Sequence, residues 1–337
     1  MKLHSFLSRF LVFSASFLMI VFAVQATVHA KSTFKLGHIF AETMPVAKAA
    51  VKFADEVKKR TDGNIEINIY PASQLGNVKE IFGSHKMGAI EMSLSTYPVL
   101  ADVIPEYAIY NAGFLFRDWD HLKSVLEAPQ FGEAWNQRLI KEAGLRIIYS
   151  VYYGVRHLTT SNKPVYKPTD LKGMKIRAVP NPISMANIIG MGGTPTPVPF
   201  AEVFNALRQG VVDGQENPLP SIWSMKFHEV QKYLMLTGHQ VVPTPCLISE
   251  KVWQKLPDKE KKAMTEAGKI ASSYGTQMTI DVEGDLLGKM KKHGITVIGK
   301  EQGLDMDAFR ENTRKVLLEK VDGKKWPEGL YEKVRSF

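Results

Sequence analysis

Two arginines and one asparagine carry the chemistry this sequence could perform. Arg177 stands in Met174-Lys175-Ile176-Arg177-Ala178-Val179, among apolar neighbours that suit a casual surface charge poorly. Arg156 stands in Tyr153-Gly154-Val155-Arg156-His157-Leu158, directly after a run that reads as a buried strand. Asn217 lies in Val212-Asp213-Gly214-Gln215-Glu216-Asn217-Pro218, which reads as a polar corner with fixed hydrogen-bonding groups. A guanidinium is always ionised, and its planar fork matches a carboxylate with two parallel bonds. An asparagine adds donors and an acceptor. Together these groups suit a small organic acid held in a cleft. The same arginines would serve equally as partners for an Asp or Glu of their own lobe, so two readings stand side by side.

Phe200, at a helix start, reads either as a pocket wall or as core. His38 and Thr96 follow first-lobe strands, and in open α/β sheets ligands gather at the carboxyl ends of strands. Signals for catalysis are absent. The chain has no His-Glu-x-x-His, no Gly-x-Ser-x-Gly and no phosphate loop. The glycines between Gly190 and Gly193 lack dinucleotide spacing, and the histidines have no metal-ligand spacing. No catalytic residue, metal or cofactor is expected.

These residues need elements to position them. From Phe34 onward short β-type runs alternate with amphipathic segments. Phe34–His38, Ile65–Tyr70 and Ala89–Ser95 read as strands, with helices opening at Pro45 and Val78 between them. Such alternation implies parallel βαβ units. A second series follows, with strands at Arg146–Val151, Met174–Val179 and Tyr233–Thr237. Helices are expected over Ile183–Met191 and Pro199–Gln209, with Thr194-Pro195-Thr196-Pro197 as a break between them. Changes in composition near 151–156 and 237–245 mark two inter-lobe crossings. Pro257 to His293 contains no internal proline and reads as one helix of about 50 Å at roughly 1.5 Å per residue, long enough to bridge both lobes. Gly275 and Gly284 are the places where it would break instead. The fold class is therefore α/β, two-lobed, with hinge strands and a long bridging helix.

The N-terminus reads as a secretory signal peptide over residues 1–30. Lys2 and Arg9 precede an apolar run from Phe10 to Val24, and Val28-His29-Ala30 places small residues at a cleavage site. The run is too short for the ~20 residues of a spanning helix. Lobe I is expected over 31–153 with part of 241–282, and lobe II over 154–240 with part of 283–337. The formal net charge of +9 falls to +7 without Lys2 and Arg9. That excess favours anionic partners. Its lysines fall on helix faces and ends rather than in an aromatic-interleaved stripe, which speaks against nucleic acid. Cys246 is the single cysteine, so no intramolecular disulfide can form.

Five motifs occur in a fixed order: Tyr70-Pro71-Ala72-Ser73-Gln74-Leu75-Gly76, Gly154-Val155-Arg156 with Thr159-Thr160-Ser161-Asn162, Asp170 through Arg177, Thr194 through Val203, and Val212 through Pro218. The set resembles the DctP-type periplasmic solute-binding proteins of TRAP (tripartite ATP-independent periplasmic) transporters across nearly the whole mature chain. The resemblance implies two lobes closing over an organic anion that is then delivered to membrane permease subunits for sodium-coupled uptake. It also implies that Arg177 makes the main salt bridge to the ligand carboxylate. Arg156 would line the cleft, Asn217 would help hold the carboxylate, and Phe200 would form an apolar wall.

The sequence is similar to sialic-acid-binding members in its second lobe. At Val78 and Thr96, however, it lacks the acidic residues those members carry. A C4-dicarboxylate or related keto or hydroxy acid is the first expectation, and a sugar acid (uronate or aldonate) the alternative. An exported enzyme acting on a small carboxylate and a sensory module that engages a receptor are the rival functions.

Overall fold

The computed structural model describes residues 31–337; the expected signal peptide, residues 1–30, lies outside the described residues. The first half alternates as expected: β1 (Ser32–Gly37), α1 (Pro45–Arg60), β2 (Ile65–Tyr70), α2 (Val78–Lys86) and β3 (Met92–Leu94). Pro45 opens α1 where its missing N–H is not needed, and Lys58, Lys59 and Arg60 close it against the negative end of the helix dipole. Helix α2 starts with a reciprocal cap. The Asn77 side chain accepts from the N–H groups of Lys79 and Glu80, and Glu80 accepts from the Asn77 N–H at 2.7 Å. Three more helices follow: α3 (Tyr97–Leu100), α4 (Trp119–Glu127) and α5 (Ala134–Ala143).

Strand β4 (Leu145–Thr160) then leads into the second series: β5 (Lys175–Ala178), α6 (Pro182–Gly190), β6 (Thr194–Pro197), α7 (Val203–Arg208), β7 (Gly214–Pro218) and α8 (Leu219–Ser224). The chain returns through β8 (Tyr233–Ser249) and ends with α9 (Glu250–Lys255), α10 (Asp258–Lys292), β9 (Thr296–Ile298), α11 (Met306–Lys320) and α12 (Leu330–Arg335). The strands run in the order β2-β1-β3-β8-β4-β7-β5-β6, with β9 beside β8. Antiparallel β4 and β8 join the two lobes. Their register shifts between Tyr152 and Gly154 and again between Arg156 and Leu158. Gly154 has φ +126°, and a Cβ there would meet Pro218 at 2.7 Å, so this bend requires glycine.

Four readings are corrected. The two crossing strands run to 16 and 17 residues, well beyond Arg146–Val151 and Tyr233–Thr237, because pairing between them overrides the glycine and prolines inside. Arg156 is consequently inside a strand, not after one. Thr194–Pro197 is not a simple break but an edge strand parallel to β5, a position where prolines cost no ladder bond on the open side. Gly214–Pro218 is not a corner. It is a fully buried strand between β4 and β5. The helix expected at Pro199–Gln209 begins instead as a 3₁₀ turn over Phe200–Glu202.

Helix α10 runs unbroken for 35 residues through Gly268, Gly275, Gly284 and Gly288. Its buried face is built largely of small residues such as Ala267, Ala271 and Gly275, and a polar seam runs along it against β4. Ser272 Oγ donates to the Ser150 carbonyl at 2.5 Å, Thr276 Oγ1 accepts from the Tyr152 N–H at 3.2 Å, and Thr279 Oγ1 donates to the Tyr152 carbonyl at 3.0 Å. One turn further on, the Glu283 carboxylate accepts from the Val155 N–H at 3.1 Å and the Tyr152 hydroxyl at 3.2 Å. The helix thus satisfies β4 backbone groups where the strand register slips. Beside this seam α10 also packs on α1. A Cβ on Gly275 would lie 2.6 Å from Ala49 Cβ and 2.8 Å from Val151. Gly275→Val should therefore force α1 away and lower stability by about 1–3 kcal/mol, measurable by urea denaturation. An unchanged midpoint would show that this contact relaxes freely.

Candidate functional site

Arg177 leaves β5 between the buried Ile176 and Ala178, with Thr196 of β6 beside it. Its side chain is 1% exposed. The Nε donates to the Val198 carbonyl at 2.9 Å, while Nη1 is buried with no hydrogen-bond partner among the described residues. No ion pair to it occurs among the described residues. Burial, and after it the charge of Arg156, pulls its pKa down to about 10, so it stays protonated at neutral pH. An ionised group this deep costs several kcal/mol unless something compensates it. A carboxylate arriving at Nη1 would supply that compensation.

Arg156 is differently placed. It sits within β4 between Gln240 of β8 and Pro218 of β7. Its guanidinium is committed to Glu216: Nη2 donates to Oε1 at 2.9 Å and to the backbone carbonyl at 2.6 Å, and Nε donates to Oε2. Glu216 Oε2 also lies 3.0 Å from His239 Nε2, whose Nδ1 is 2.8 Å from Thr237 Oγ1. Burial opposes both charges, yet each holds the other ionised. Arg156 is raised, and the Glu216 carboxyl is held down to about 2. The ion-pair reading therefore applies to Arg156, although its side chain also borders a small cavity.

Asn217 is fixed by its neighbours rather than free. Its Nδ2 donates to Gln215 Oε1 at 2.6 Å, Gln215 donates to Thr159 Oγ1 at 2.8 Å, and Thr159 donates to Gln231 at 3.0 Å. That chain sets the orientation of the amide. His38 is buried too. Its Nδ1 accepts from the Phe40 N–H at 3.2 Å, which leaves Nε2 as a donor with no partner among the described residues. Burial lowers its pKa to about 4, so it is neutral at physiological pH. Phe200 is half-buried between two apolar clusters, with its ring edge-on to Phe227 at 6.3 Å.

The cavity measures about 50 Å³. Of the six candidates, Thr96 and Arg156 border it. His38 is next to the lining residue Phe40, with ring centroids 5.9 Å apart. Arg177 is within electrostatic reach of Arg156 and of Tyr153, another lining residue. Asn217 and Phe200 lie outside the lining.

Sequence reasoning missed Asn111 and Gln240, which do border the cavity. Gln240 Nε2 donates to Asn111 Oδ1 at 2.6 Å, and Asn111 Nδ2 donates to Ser184 Oγ of α6 at 2.9 Å. Nothing local marks Asn111, because its partners are about 70 and 130 residues away in sequence. Gln240 had one signal, its place in the second crossing.

The family model for bacterial extracellular solute-binding protein family 7, DctP, matches residues 36–323. A solute-binding protein of Verminephrobacter eiseniae is 34% identical over 273 residues, covering 81% of each chain. The sialic acid-binding periplasmic protein of Vibrio cholerae is 33% identical, covering 85% of this chain and 87% of its own. A crystal structure of a TRAP periplasmic solute-binding protein from Roseobacter denitrificans, solved with bound L-galactonate, superposes with a TM-score of 0.83 at 30% identity over 91% of this chain and 98% of that one. The two lobes joined by crossing strands and the long helix agree with these matches: the chain belongs to the DctP family, and is a periplasmic, non-catalytic solute-binding protein of the TRAP type that holds an organic acid anion.

Proposed function

We propose that the anion is a monocarboxylate sugar acid, an aldonate or uronate, rather than the C4-dicarboxylate that the sequence reading put first. The observation that carries this is a count of cations. Of the two buried arginines, Arg156 lining the cavity and Arg177 beside it, Arg177 has no acid partner among the described residues, whereas Arg156 is neutralised by Glu216. A dicarboxylate would need a second cation. The remaining groups, Thr96, Asn111, Gln240 and Thr244, are neutral hydroxyls and amides suited to a polyol. Similar proteins point the same way. Structures at 30% identity from Polaromonas and Actinobacillus succinogenes hold D-erythronate and L-galactonate. One from Sulfurospirillum deleyianum at 29% identity holds succinate, which keeps the dicarboxylate as the contrast to test.

In this reading Arg177 docks the carboxylate through Nη1, and the fixed Asn217 amide adds a donor beside it. His38 Nε2 and Thr96 reach the hydroxylated end, and Phe200 supports the Arg177 side of the pocket. Arg156 acts through Glu216, shaping the wall more than binding charge. The lobes correspond to 31–153 and 154–240, completed by parts of 241–282 and 283–337. The cavity is enclosed between buried side chains, so the lobes part to admit the ligand and close around it. Closure removes water and strengthens the ion pair. The closed form then passes the acid to membrane permease subunits.

Thermal unfolding with a panel of acids tests the assignment. D-erythronate, L-galactonate and glucuronate should raise the midpoint, by the equivalent of about 2.7 kcal/mol at a concentration 100 times Kd. Succinate and malate should leave it unmoved. A panel in which only the dicarboxylates shift the midpoint would overturn the sugar-acid reading.

A further inference from the structure

A second cavity of about 560 Å³ opens on the far side of α8 from the first. The short helix α8 separates the two. Its Ser221 hydroxyl donates to the Tyr153 hydroxyl at 2.5 Å, and Tyr153 lines the inner cavity. Pro220, Trp223 and Ser224 of the same helix wall the outer one. The other walls are Thr43, Pro45 and Lys48 at the start of α1, and Met278, Val282 and Leu286 of α10, which lie on one face at four-residue spacing. The groove thus touches an element of each lobe and the helix that spans them.

Its chemistry is amphiphilic. Trp223 stacks on His228 with centroids 4.3 Å apart and planes 9° from parallel, and meets the edge of His293 at 5.0 Å. This aromatic surface continues into the methionine, valine and leucine of α10. Three lysines stand at the rim. Lys226 is 3.7 Å from Glu229, whereas Lys48 and Lys289 have no ion pair among the described residues. Asp285 is the one rim carboxylate left without an ion pair, so the two free lysines outnumber it. His228 Nδ1 faces the Ile222 carbonyl at 3.3 Å and His293 Nδ1 the Lys289 carbonyl at 3.0 Å, which fixes both rings and turns each Nε2 away from its own backbone.

We infer that this groove is a second binding site, for an organic anion with an apolar or aromatic body, and that its occupancy biases the angle between the lobes. The anion pairs with Lys48 and Lys289 while the body lies against Trp223 and the α10 side chains. A ligand that bridges α1 and α8 has different affinities for the open and closed arrangements, because closure changes the distance between those walls. Differential affinity of that kind shifts the equilibrium, and the coupling is reciprocal. The inference does not depend on which acid fills the inner cavity.

The probe is 8-anilinonaphthalene-1-sulfonate, an aromatic sulfonate whose fluorescence rises on binding. Titrated into the mature protein, it should bind one-to-one and quench tryptophan emission. Trp223→Ala and Lys289→Glu should each weaken it by about tenfold or more, equivalent to about 1.4 kcal/mol. Arg177→Ala, which disables the inner cavity, should leave it unchanged. Trp223→Phe serves as the conservative variant and should retain most of the binding, with circular dichroism confirming the fold of each protein.

The coupling is read from spin labels on Lys59→Cys and Gln209→Cys, both exposed, since Cys246 is buried. Adding the probe should shift their distance distribution. Loss of binding in Arg177→Ala, or unchanged binding in Trp223→Ala, would place the probe elsewhere and overturn the site. An unmoved distance distribution would overturn the coupling.

Discussion

Arg177→Ala should weaken binding of the organic acid by about 30-fold to several thousand-fold. Truncating one partner of a buried, hydrogen-bonded charge pair costs about 2–5 kcal/mol, and each 1.4 kcal/mol is a factor of ten. Position 177 meets the condition for the upper part of that range, since its guanidinium is buried and Nη1 has no competing partner among the described residues. Arg177→Lys should recover only part of the loss, because an ammonium cannot present two parallel donors. A second measurement separates binding from folding. The ligand-free protein holds Arg177 against burial and against Arg156, so Arg177→Met should not lower its unfolding midpoint. Titration calorimetry on both variants, with thermal unfolding alongside, tests the pair of expectations. A loss of tenfold or less in Arg177→Ala would mean that another group carries the carboxylate.

Glu216→Ala should have the largest effect on stability. Removing the carboxylate leaves Arg156 buried and unpaired, with the like charge of Arg177 within electrostatic reach. Breaking a buried pair in this way costs about 3–5 kcal/mol, a large share of the 5–15 kcal/mol that holds a typical domain together. Replacing both members, Arg156→Met with Glu216→Leu, should restore much of the loss. Failure of the double variant to recover would point to His239 or to the backbone carbonyl of residue 216 as the group left stranded.

The same carboxylate gives the pH dependence its sign. Its pKa falls from an ordinary 4.5 to about 2 in the folded protein, since Arg156 and His239 together overcome burial. Its contribution is therefore complete above pH 4.5 and is lost as pH falls toward 2. Urea midpoints should drop across that window in the native protein and less steeply in the double variant.

The burial of Arg177 was legible in the sequence, because its strand neighbours isoleucine and alanine place it in the core, while its role as a ligand contact came from the family resemblance. The long helix was legible too, since its interior lacks proline and its ends carry clear stops. Glu216 was not. It stands 60 residues from Arg156, and only the antiparallel pairing of β4 with β7 brings the two side chains together. Local sequence made Gly214–Pro218 look like a turn because glycine, asparagine and proline usually are. Burial between two neighbouring strands outweighs that preference. The prolines of β6 and β8 misled for the same reason. The proposed ligand preference was out of reach of pattern alone, because it is argued from which arginine is already neutralised, a question of three-dimensional partnership.

The polar seam between α10 and β4 has a consequence for how this molecule tolerates change in length. Ser272, Thr276, Thr279 and Glu283 meet their targets because they fall on one side of a rod turning about 100° per residue. A single inserted residue between them would swing every later contact around the axis, stranding the amide of Val155 and the carbonyl of Tyr152 together. Surface loops elsewhere can lengthen at little cost. This rod cannot, so its residue count acts as a ruler that fixes the spacing of the two halves.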